Sequence, residues 1–181
     1  MSRILQHAHQ TLIQALSPQA VVVDATVGNG LDTSFVLRHD FIKHVFAFDV
    51  QEDALNVAKT LNPNYKVTWI LDTHANVDLY VDSCDGVIFN LGFLPGSTSP
   101  VSTTKKDVLI ALEKLQQIIK PNGVIVIVVY PSHPEGMEEH LALQTWIKSL
   151  SHPFYPYEYR RAYHETAPYV ITVYKQRNSM K

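Results

Sequence analysis

The sequence is poor in cysteine and in charged residues, and each shortage excludes a class of protein. Among 181 residues only Cys84 is a cysteine, so neither an intrachain disulfide nor a cysteine-based zinc site can form. Charged residues make up 18% of the chain, below the typical share of about 25%, and hydrophobic residues make up 46%. A disordered chain shows the opposite balance, so the composition excludes disorder over most of the length. The net charge of −2 argues against a polybasic nucleic-acid binder, but it is compatible with one local RNA-binding patch.

Long apolar runs are also missing. The longest one, Val124 to Tyr130, is far shorter than the roughly 20 residues that a membrane-spanning helix requires. The first residues contain no extended apolar stretch, so we expect no secretory leader. We therefore expect a reduced, cytoplasmic protein without a membrane anchor, folded as a single domain over residues 1–181.

Apolar patterns along the chain alternate between short buried strands and amphipathic helices. Strands are predicted at 21–23, 44–48, 66–71, 85–89 and 124–130, and helices at 3–16, 32–38, 52–61, 105–119 and 138–150. Two late runs, 155–163 and 169–174, lie too close together for a crossover helix and should pair antiparallel. The pattern predicts an α/β fold in which a mostly parallel sheet carries helices on both faces.

Four of the predicted parallel strands end in a polar residue. These residues are Asp24, Asp49, Asp72 and Asn90. Ligands of such sheets bind beyond the carboxyl ends of the strands. A carboxylate at Asp49 can accept hydrogen bonds from both ribose hydroxyls of an adenosine, and one at Asp72 can accept from an adenine amino group. Acids that merely cap helices are the alternative interpretation.

A glycine-containing turn, Asp24-Ala25-Thr26-Val27-Gly28-Asn29-Gly30, follows the first strand. Its glycines allow the backbone to approach a ligand and to take positive φ angles. A dinucleotide site would require a third glycine where Thr33 stands. The D-x-x-x-G-x-G arrangement instead resembles motif I of class I S-adenosylmethionine-dependent methyltransferases. That resemblance implies a seven-stranded sheet, a first acid near the methionine end of the donor and a second-strand acid on its ribose.

The fourth strand leads into Asn90-Leu91-Gly92-Phe93, which resembles the [Asp/Asn]-x-x-[Phe/Tyr] motif of nitrogen-directed methyltransferases. The Asn90 carbonyl can accept a hydrogen bond from an amine, and the Phe93 ring can stack on a flat base. Methyl transfer requires an unprotonated amine, for which His133 and Asp32 are candidate proton acceptors. The alternative for Asn90 and Phe93 is a capped loop with a packed phenylalanine, and the alternative for His133 is a backbone cap.

From His9 to about Lys175 the chain resembles the small bacterial YtqB/MnmM family of rRNA-methylase-like proteins, understood as tRNA 5-aminomethyl-2-thiouridine methyltransferases. The matching segments are 24–33, 48–51, 72–77, 89–96 and 128–134. The resemblance implies a Rossmann-like class I methyltransferase fold, often dimeric, with S-adenosyl-L-methionine as methyl donor. It also implies a substrate, the wobble uridine of the tRNA anticodon loop, whose aminomethyl group becomes methylaminomethyl. Leu31 and Phe93 depart from the histidine and tyrosine that are frequent in the family.

We therefore predict two sets of site residues. The resemblance assigns cofactor contacts to Asn29, Asp32, Asp49, Gln51 and His74, with Gly28 and Gly30 shaping the turn, and the strand-end array adds Asp24, Asp72 and Thr73. The predicted catalytic residues are Asn90, Phe93 and His133. An rRNA or small-molecule N-methyltransferase and a non-catalytic nucleotide-binding module are the alternative functions.

The sequence predicts no metal site, and it offers several basic residues as candidates for RNA contact. The nine histidines lack metal-site spacing, and we predict no metal. Candidates for RNA contact are Arg38, Lys105, Lys106, Arg160 and Arg161, with Tyr155, Tyr157, Tyr159 and Tyr163 near the last pair. Alternating tyrosines in a strand more often pack or form a dimer surface, and we favour that interpretation for them.

Overall fold

The structure is a computed structural model that describes residues 2–91 and 104–177. Within them the strands are β1 (Ala20–Asp24), β2 (Ile42–Asp49), β3 (Val67–Leu71), β4 (Cys84–Asn90), β5 (Ile119–Val129), β6 (Phe154–Arg160) and β7 (Tyr169–Lys175). The helices are α1 (Arg3–Ala15), α2 (Leu31–Leu37), α3 (Glu52–Leu61), α4 (Lys105–Ile118) and α5 (Pro134–Ser149), with a 3-10 helix at His74–Leu79.

The seven strands form one sheet in the order β3-β2-β1-β4-β5-β7-β6. The first five strands pair in parallel, whereas β7 pairs antiparallel with both β5 and β6. This arrangement confirms the predicted fold class, including the antiparallel pair at the C-terminal end. None of the helices in residues 2–91 and 104–177 is long and apolar enough to cross a membrane.

Helices cover both faces of the sheet, and each face has its own hydrophobic core. One core joins α4, α5 and the 3-10 helix to the sheet, and the other joins α1, α2 and α3. In β5, Val124, Val126 and Val128 face the second core, whereas Ile125, Ile127 and Val129 face the first. Burial on both faces explains why this strand is apolar without alternation. Each such buried side chain stabilises the fold by about 1.5–3 kcal/mol.

Two element boundaries differ by four or more residues from the sequence-based prediction, and one element was not predicted. The strand predicted from Val124 begins at Ile119, because Ile119 already pairs with Cys84 before the register shifts. Helix α5 begins at Pro134, four residues before its predicted start, because His133 caps it and proline is favourable in the first turn. The 3-10 helix after β3 was not predicted, since its six residues are too few to show a helical period.

The carboxyl ends of β1 to β5 lie along one edge of the sheet, where the glycine turn also begins. The β6–β7 hairpin reaches the same edge, because Tyr169 pairs with Val129 on one side and with Arg160 on the other. The turn at 161–168 therefore emerges beside the ends of the parallel strands. The ends of the five parallel strands and the β6–β7 turn thus surround one mouth.

Candidate active site at the carboxyl ends of the strands

The glycine turn is held in a backbone conformation that side chains disfavour. Gly28 has φ +49° and Gly30 has φ +76°. A Cβ on Gly30 would lie 2.8 Å from the Cβ of Ala58, so that α3 packs directly against the turn. Asn29 lies exposed at the tip of the turn, between the two glycines. The sequence prediction of a turn that needs glycine is confirmed at both positions.

Asp49 ends β2 and connects that strand to the glycine turn. Its Oδ2 accepts a hydrogen bond from the Gly28 amide at 2.7 Å, and its Oδ1 accepts one from the Gln51 amide at 2.9 Å. A carboxylate has about four lone-pair sites, so Asp49 keeps acceptor capacity for hydroxyl donors. Gln51 precedes α3 and is half-buried beside it.

Asp72 follows β3 and is bound by its own neighbours. Its carboxylate accepts hydrogen bonds from the Thr73 amide at 2.7 Å, the Asn76 amide group at 3.0 Å and the Tyr80 hydroxyl at 2.9 Å. Burial acts to raise the pKa of Asp72, but these hydrogen bonds outweigh it and lower the pKa. Thr73 caps the 3-10 helix by accepting from the Ala75 amide. Three donors thus already occupy the carboxylate predicted to meet an adenine amino group.

His74 lies beneath the glycine turn rather than on its surface. The residue is 1% exposed, and its Nδ1 is 2.9 Å from the Ala25 carbonyl oxygen, to which it donates. Burial lowers the pKa of His74 and keeps the ring neutral. Its Nε2 is a buried acceptor with no partner among the described residues. The His74 ring thus supports the glycine turn through its hydrogen bond to the Ala25 carbonyl oxygen.

Asp24 is fully buried at the end of β1. Its carboxylate accepts hydrogen bonds from the Thr33 hydroxyl at 2.6 Å and from the Thr26 amide at 3.2 Å. Burial, followed by the nearby negative charge of Asp32, raises the pKa of Asp24 to about 7. Thr33, which stands where a dinucleotide site would have its third glycine, thus bonds the acid at the end of β1.

Asp32 and Asn90 meet in the interior beside this acid. The Asn90 side-chain nitrogen donates to Asp32 Oδ2 at 3.1 Å, and His9 Nε2 lies 2.5 Å from Asp32 Oδ1. Asp32 is only 4% exposed. Both of its oxygens are therefore engaged by protein groups. The Asn90 Oδ1 atom is buried and has no partner among the described residues.

His133 lies in the loop between β5 and α5 and caps α5. Its Nδ1 accepts a hydrogen bond from the Gly136 amide at 3.0 Å, so the ring proton of the neutral form is on Nε2. The geometry favours the capping interpretation, and the catalytic role of His133 stays a prediction. Phe93, the other predicted catalytic residue, lies outside the described residues.

Two residues near the mouth were missed by the sequence reasoning. His9 occupies the buried face of α1 beside Ala8 and Leu12, and a polar residue within that apolar stripe was the available signal. Glu139 lies on the same face of α5 as the buried Leu143. Burial, followed by repulsion from Glu135, raises its pKa to about 7 despite the nearby His133.

The basic residues predicted to contact RNA lie in three places. Lys105 begins α4 and pairs with Glu138, whereas Arg160 pairs with Glu158 and lies over the Tyr169 ring. Arg38 follows the C-terminal end of α2, away from the mouth. Tyr163 is fully exposed in the β6–β7 turn at the mouth.

The described residues contain no group of three or more His, Cys, Asp or Glu side chains that could hold a metal ion. They do fit an adenosine-containing ligand. A glycine turn leaves the backbone accessible, and the Asp49 carboxylate beside it can accept from ribose hydroxyls.

The chain is similar to proteins described as methyltransferases. Residues 45–175 match the family described as “Putative rRNA methylase”. Over 155 residues the chain is 33% identical to a protein of Arabidopsis thaliana named tRNA (mnm(5)s(2)U34)-methyltransferase, chloroplastic. The match covers 73% of this chain and 54% of the relative, so the chain spans about half of that relative's length.

Solved structures of proteins described as methyltransferases are also similar to this chain, over nearly its full length. A “putative rRNA-methylase” from Clostridium thermocellum is 29% identical, with a TM-score of 0.88 over 97% of this chain and 98% of that one. A “putative methyltransferase” from Streptococcus mutans, solved in complex with SAH, is 30% identical, with a TM-score of 0.85 over 97% and 99%. SAH is S-adenosylhomocysteine, the product left when S-adenosylmethionine has donated its methyl group.

Proposed function

Since this chain belongs to the rRNA methylase family, we propose that it methylates the amine of 5-aminomethyl-2-thiouridine at the wobble position of tRNA. The protein is an S-adenosylmethionine-dependent methyltransferase, and S-adenosyl-L-methionine is its cofactor. The proposal concerns the acceptor, which is a primary amine nitrogen in the tRNA anticodon loop. The Arabidopsis relative, named for the corresponding tRNA nucleoside, supports that choice.

One observation carries the assignment to nitrogen. The Asn90 Oδ1 atom stands at the end of β4, buried and without a partner among the described residues. A buried carbonyl oxygen left without a donor is costly, and an amine hydrogen would satisfy it. The Asn90 nitrogen is engaged by Asp32, so the amide presents an acceptor and not a donor to this space. A carbon acceptor offers no such donor. A ribose hydroxyl could also donate to this oxygen, and the choice of nitrogen over hydroxyl oxygen rests on the name of the Arabidopsis relative.

The cofactor would be held by the glycine turn and the end of β2. In the proposal, Asp49 accepts from the ribose hydroxyls, while Gly28, Asn29 and Gly30 bring the backbone close to the ligand. S-adenosyl-L-methionine supplies a methyl group activated by its sulfonium charge. The remaining work for this chain is to bind, to align the acceptor and to exclude water.

Asn90 would act on the amine directly. An alkylamine with a pKa near that of lysine, roughly 10, is mostly protonated at neutral pH and cannot attack in that form. After the ammonium has lost a proton to solvent, the neutral amine can donate one N–H to Asn90 Oδ1. This hydrogen bond fixes the direction of the nitrogen lone pair. As the nitrogen gains positive charge during the reaction, this hydrogen bond strengthens and lowers the barrier.

The β6–β7 turn would contact the RNA beside the mouth. Arg161 and Tyr163 are both exposed there, and Tyr163 is fully accessible. A guanidinium and an aromatic ring suit the phosphates and unstacked bases of a single-stranded loop.

We also propose that residues 1–181 act as one domain in the cytoplasm. The open edge of β6, with exposed Tyr157 and Tyr159, is compatible with a homodimer.

The deciding experiment uses tRNA purified from cells that lack this gene. The tRNA is incubated with the protein and methyl-labelled donor, digested, and analysed by nucleoside mass spectrometry. We expect 5-aminomethyl-2-thiouridine to be converted to its methylaminomethyl form. Ribosomal RNA from the same cells serves as the control substrate. Methylation of ribosomal RNA alone, or of a base carbon or ribose oxygen, would contradict the proposal, and cofactor binding without transfer would indicate a binding module.

A further inference from the structure

A buried chain of three polar side chains connects α1 to the mouth. His9 Nε2 is 2.5 Å from Asp32 Oδ1, and Asp32 Oδ2 accepts from the Asn90 side-chain nitrogen at 3.1 Å. His9 is 2% exposed and Asp32 is 4% exposed. We infer that His9 and Asp32 are positioning residues that hold the Asn90 amide with its oxygen toward the acceptor amine. The inference rests on the proposed function of Asn90.

The carboxylate determines which way the amide points. Asp32 in its ionised form can only accept hydrogen bonds, so the Asn90 nitrogen must face it and Oδ1 must face away. A reversed amide would place two oxygens in contact and would leave the nitrogen without this acceptor. The Asn90 backbone amide donates to Thr26 Oγ1 at 2.7 Å, which holds the end of the strand itself. Backbone and side chain are thus fixed separately.

His9 in turn fixes the carboxylate. A carboxylate taken out of water is costly unless it is paired, and the His9 Nε2–H supplies the partner for Oδ1. The imidazole stacks on Phe35 with ring centroids 4.0 Å apart, which limits rotation of the ring. A side chain from the first helix therefore determines the orientation of an amide at the end of the fourth strand.

The network also favours the reaction electrostatically. A negative charge beside the amide nitrogen polarises the amide and makes Oδ1 a stronger acceptor. The acceptor nitrogen becomes positive as its bond to the methyl carbon forms, so a stronger acceptor benefits the transition state more than the ground state. The expected signature of losing His9 is a lower kcat with little change in cofactor affinity or in KM for tRNA.

A double-mutant cycle tests this role. We expect His9→Leu, which removes the donor, to lower kcat about 10–100-fold, and His9→Gln, which retains an N–H donor, to restore most of the rate. In an Asn90→Ala background, His9→Leu should cost less than about twofold, because the group it positions is gone. Equal costs in both backgrounds, or no rescue by glutamine, would overturn the inference.

A second readout does not depend on activity. In ¹⁵N-labelled protein without cofactor, a fixed Asn90 amide should give two sharp, slowly exchanging side-chain resonances, assigned by their loss in Asn90→Ala. His9→Leu should broaden them or speed their exchange, and His9→Gln should not. Unchanged resonances in a folded His9→Leu protein would overturn the inference. If wild-type protein fails to methylate the tRNA, the proposed function fails, while this spectrum still reports on the network.

Discussion

The carboxylate of Asp49 accepts a hydrogen bond from the amide of Gly28 at 2.7 Å, and it thereby joins the end of β2 to the turn that follows β1. Because the same carboxylate is proposed to hold the ribose, the turn and the ribose acceptor form one unit. Asp49→Ala should therefore weaken binding of S-adenosylhomocysteine by about 1.5–3 kcal/mol, the contribution of hydrogen bonds to a charged group. Isothermal titration calorimetry measures the change directly.

The matched control for Asp49 is Asp53→Ala. Asp53 is also an acid, but it lies exposed in the first turn of α3. Its removal should leave the affinity for S-adenosylhomocysteine within about twofold, since an exposed charge contributes little at a distance. Equal losses for the two variants would mean that net charge, and not the ribose contact, determines the affinity.

Asn90 is predicted to affect the acceptor and not the donor. Asn90→Ala should lower kcat about 10²–10³-fold, as expected for one positioning hydrogen bond at a reacting centre. The Kd for S-adenosylhomocysteine should stay within about threefold of wild type, because no cofactor contact is assigned to this side chain. Asn56→Ala, on the exposed face of α3, is the control and should change neither value. Parallel loss of binding would assign Asn90 a structural role.

Gly30 should be intolerant of a side chain. Gly30→Ala would combine φ +76° with a Cβ 2.8 Å from that of Ala58, and we expect a loss of about 1–3 kcal/mol in the free energy of unfolding. Gln19 offers the opposite comparison, because it has φ +65° with a side chain present. Gln19→Gly should be neutral or stabilising by up to about 1 kcal/mol. Urea denaturation measures the free energy of unfolding of both variants. An unchanged value for Gly30→Ala would contradict the backbone strain and the close contact expected at this position.

The β6–β7 turn should matter for RNA and not for the cofactor. Arg161→Ala combined with Tyr163→Ala should raise KM for tRNA about 30-fold and leave the Kd for S-adenosylhomocysteine unchanged, because each lost phosphate or stacking contact is worth roughly 1 kcal/mol. The salt dependence of tRNA binding should also become shallower. Tyr65→Ala, another exposed tyrosine, serves as the control. An unchanged KM would place the RNA elsewhere on the surface.

Much of this site could be predicted from the sequence because strand ends are marked locally. Asp24, Asp49 and Asn90 each follow an apolar run, and parallel strands bring such positions to one edge. The need for glycine at positions 28 and 30 was also visible, because few other residues tolerate positive φ.

What could not be predicted depends on contacts between distant segments. His9 and Asn90 reach the two carboxylate oxygens of Asp32 only because α1 and α2 pack together beside the end of β4. Whether Asp72 faces a ligand or its neighbours depends on the 3-10 helix that brings Asn76 and Tyr80 to it. The inward orientation of His74 likewise follows from its bond to the Ala25 carbonyl, which no local pattern encodes.

Asp24 should make stability fall as the pH rises. Burial and the charge of Asp32 raise its pKa in the folded protein from 3.8 to about 7, so between these values the folded chain holds a proton that the unfolded chain has lost. The free energy of unfolding should therefore decrease from about pH 4 to about pH 7 and level off above it, by at most about 4 kcal/mol at roughly 1.4 kcal/mol per pKa unit.

Asp24→Asn isolates this contribution, because the amide cannot titrate and keeps an oxygen for the Thr26 amide. The lowered pKa of His74 acts with the opposite sign, since the unfolded chain then binds more protons, but it is present in both proteins and cancels in their difference. Urea denaturation without cofactor at several pH values should show the variant gaining stability relative to wild type as the pH rises to about 7. Parallel curves would mean that the pKa of Asp24 stays near 3.8 in the folded protein, and that neither burial nor Asp32 raises it.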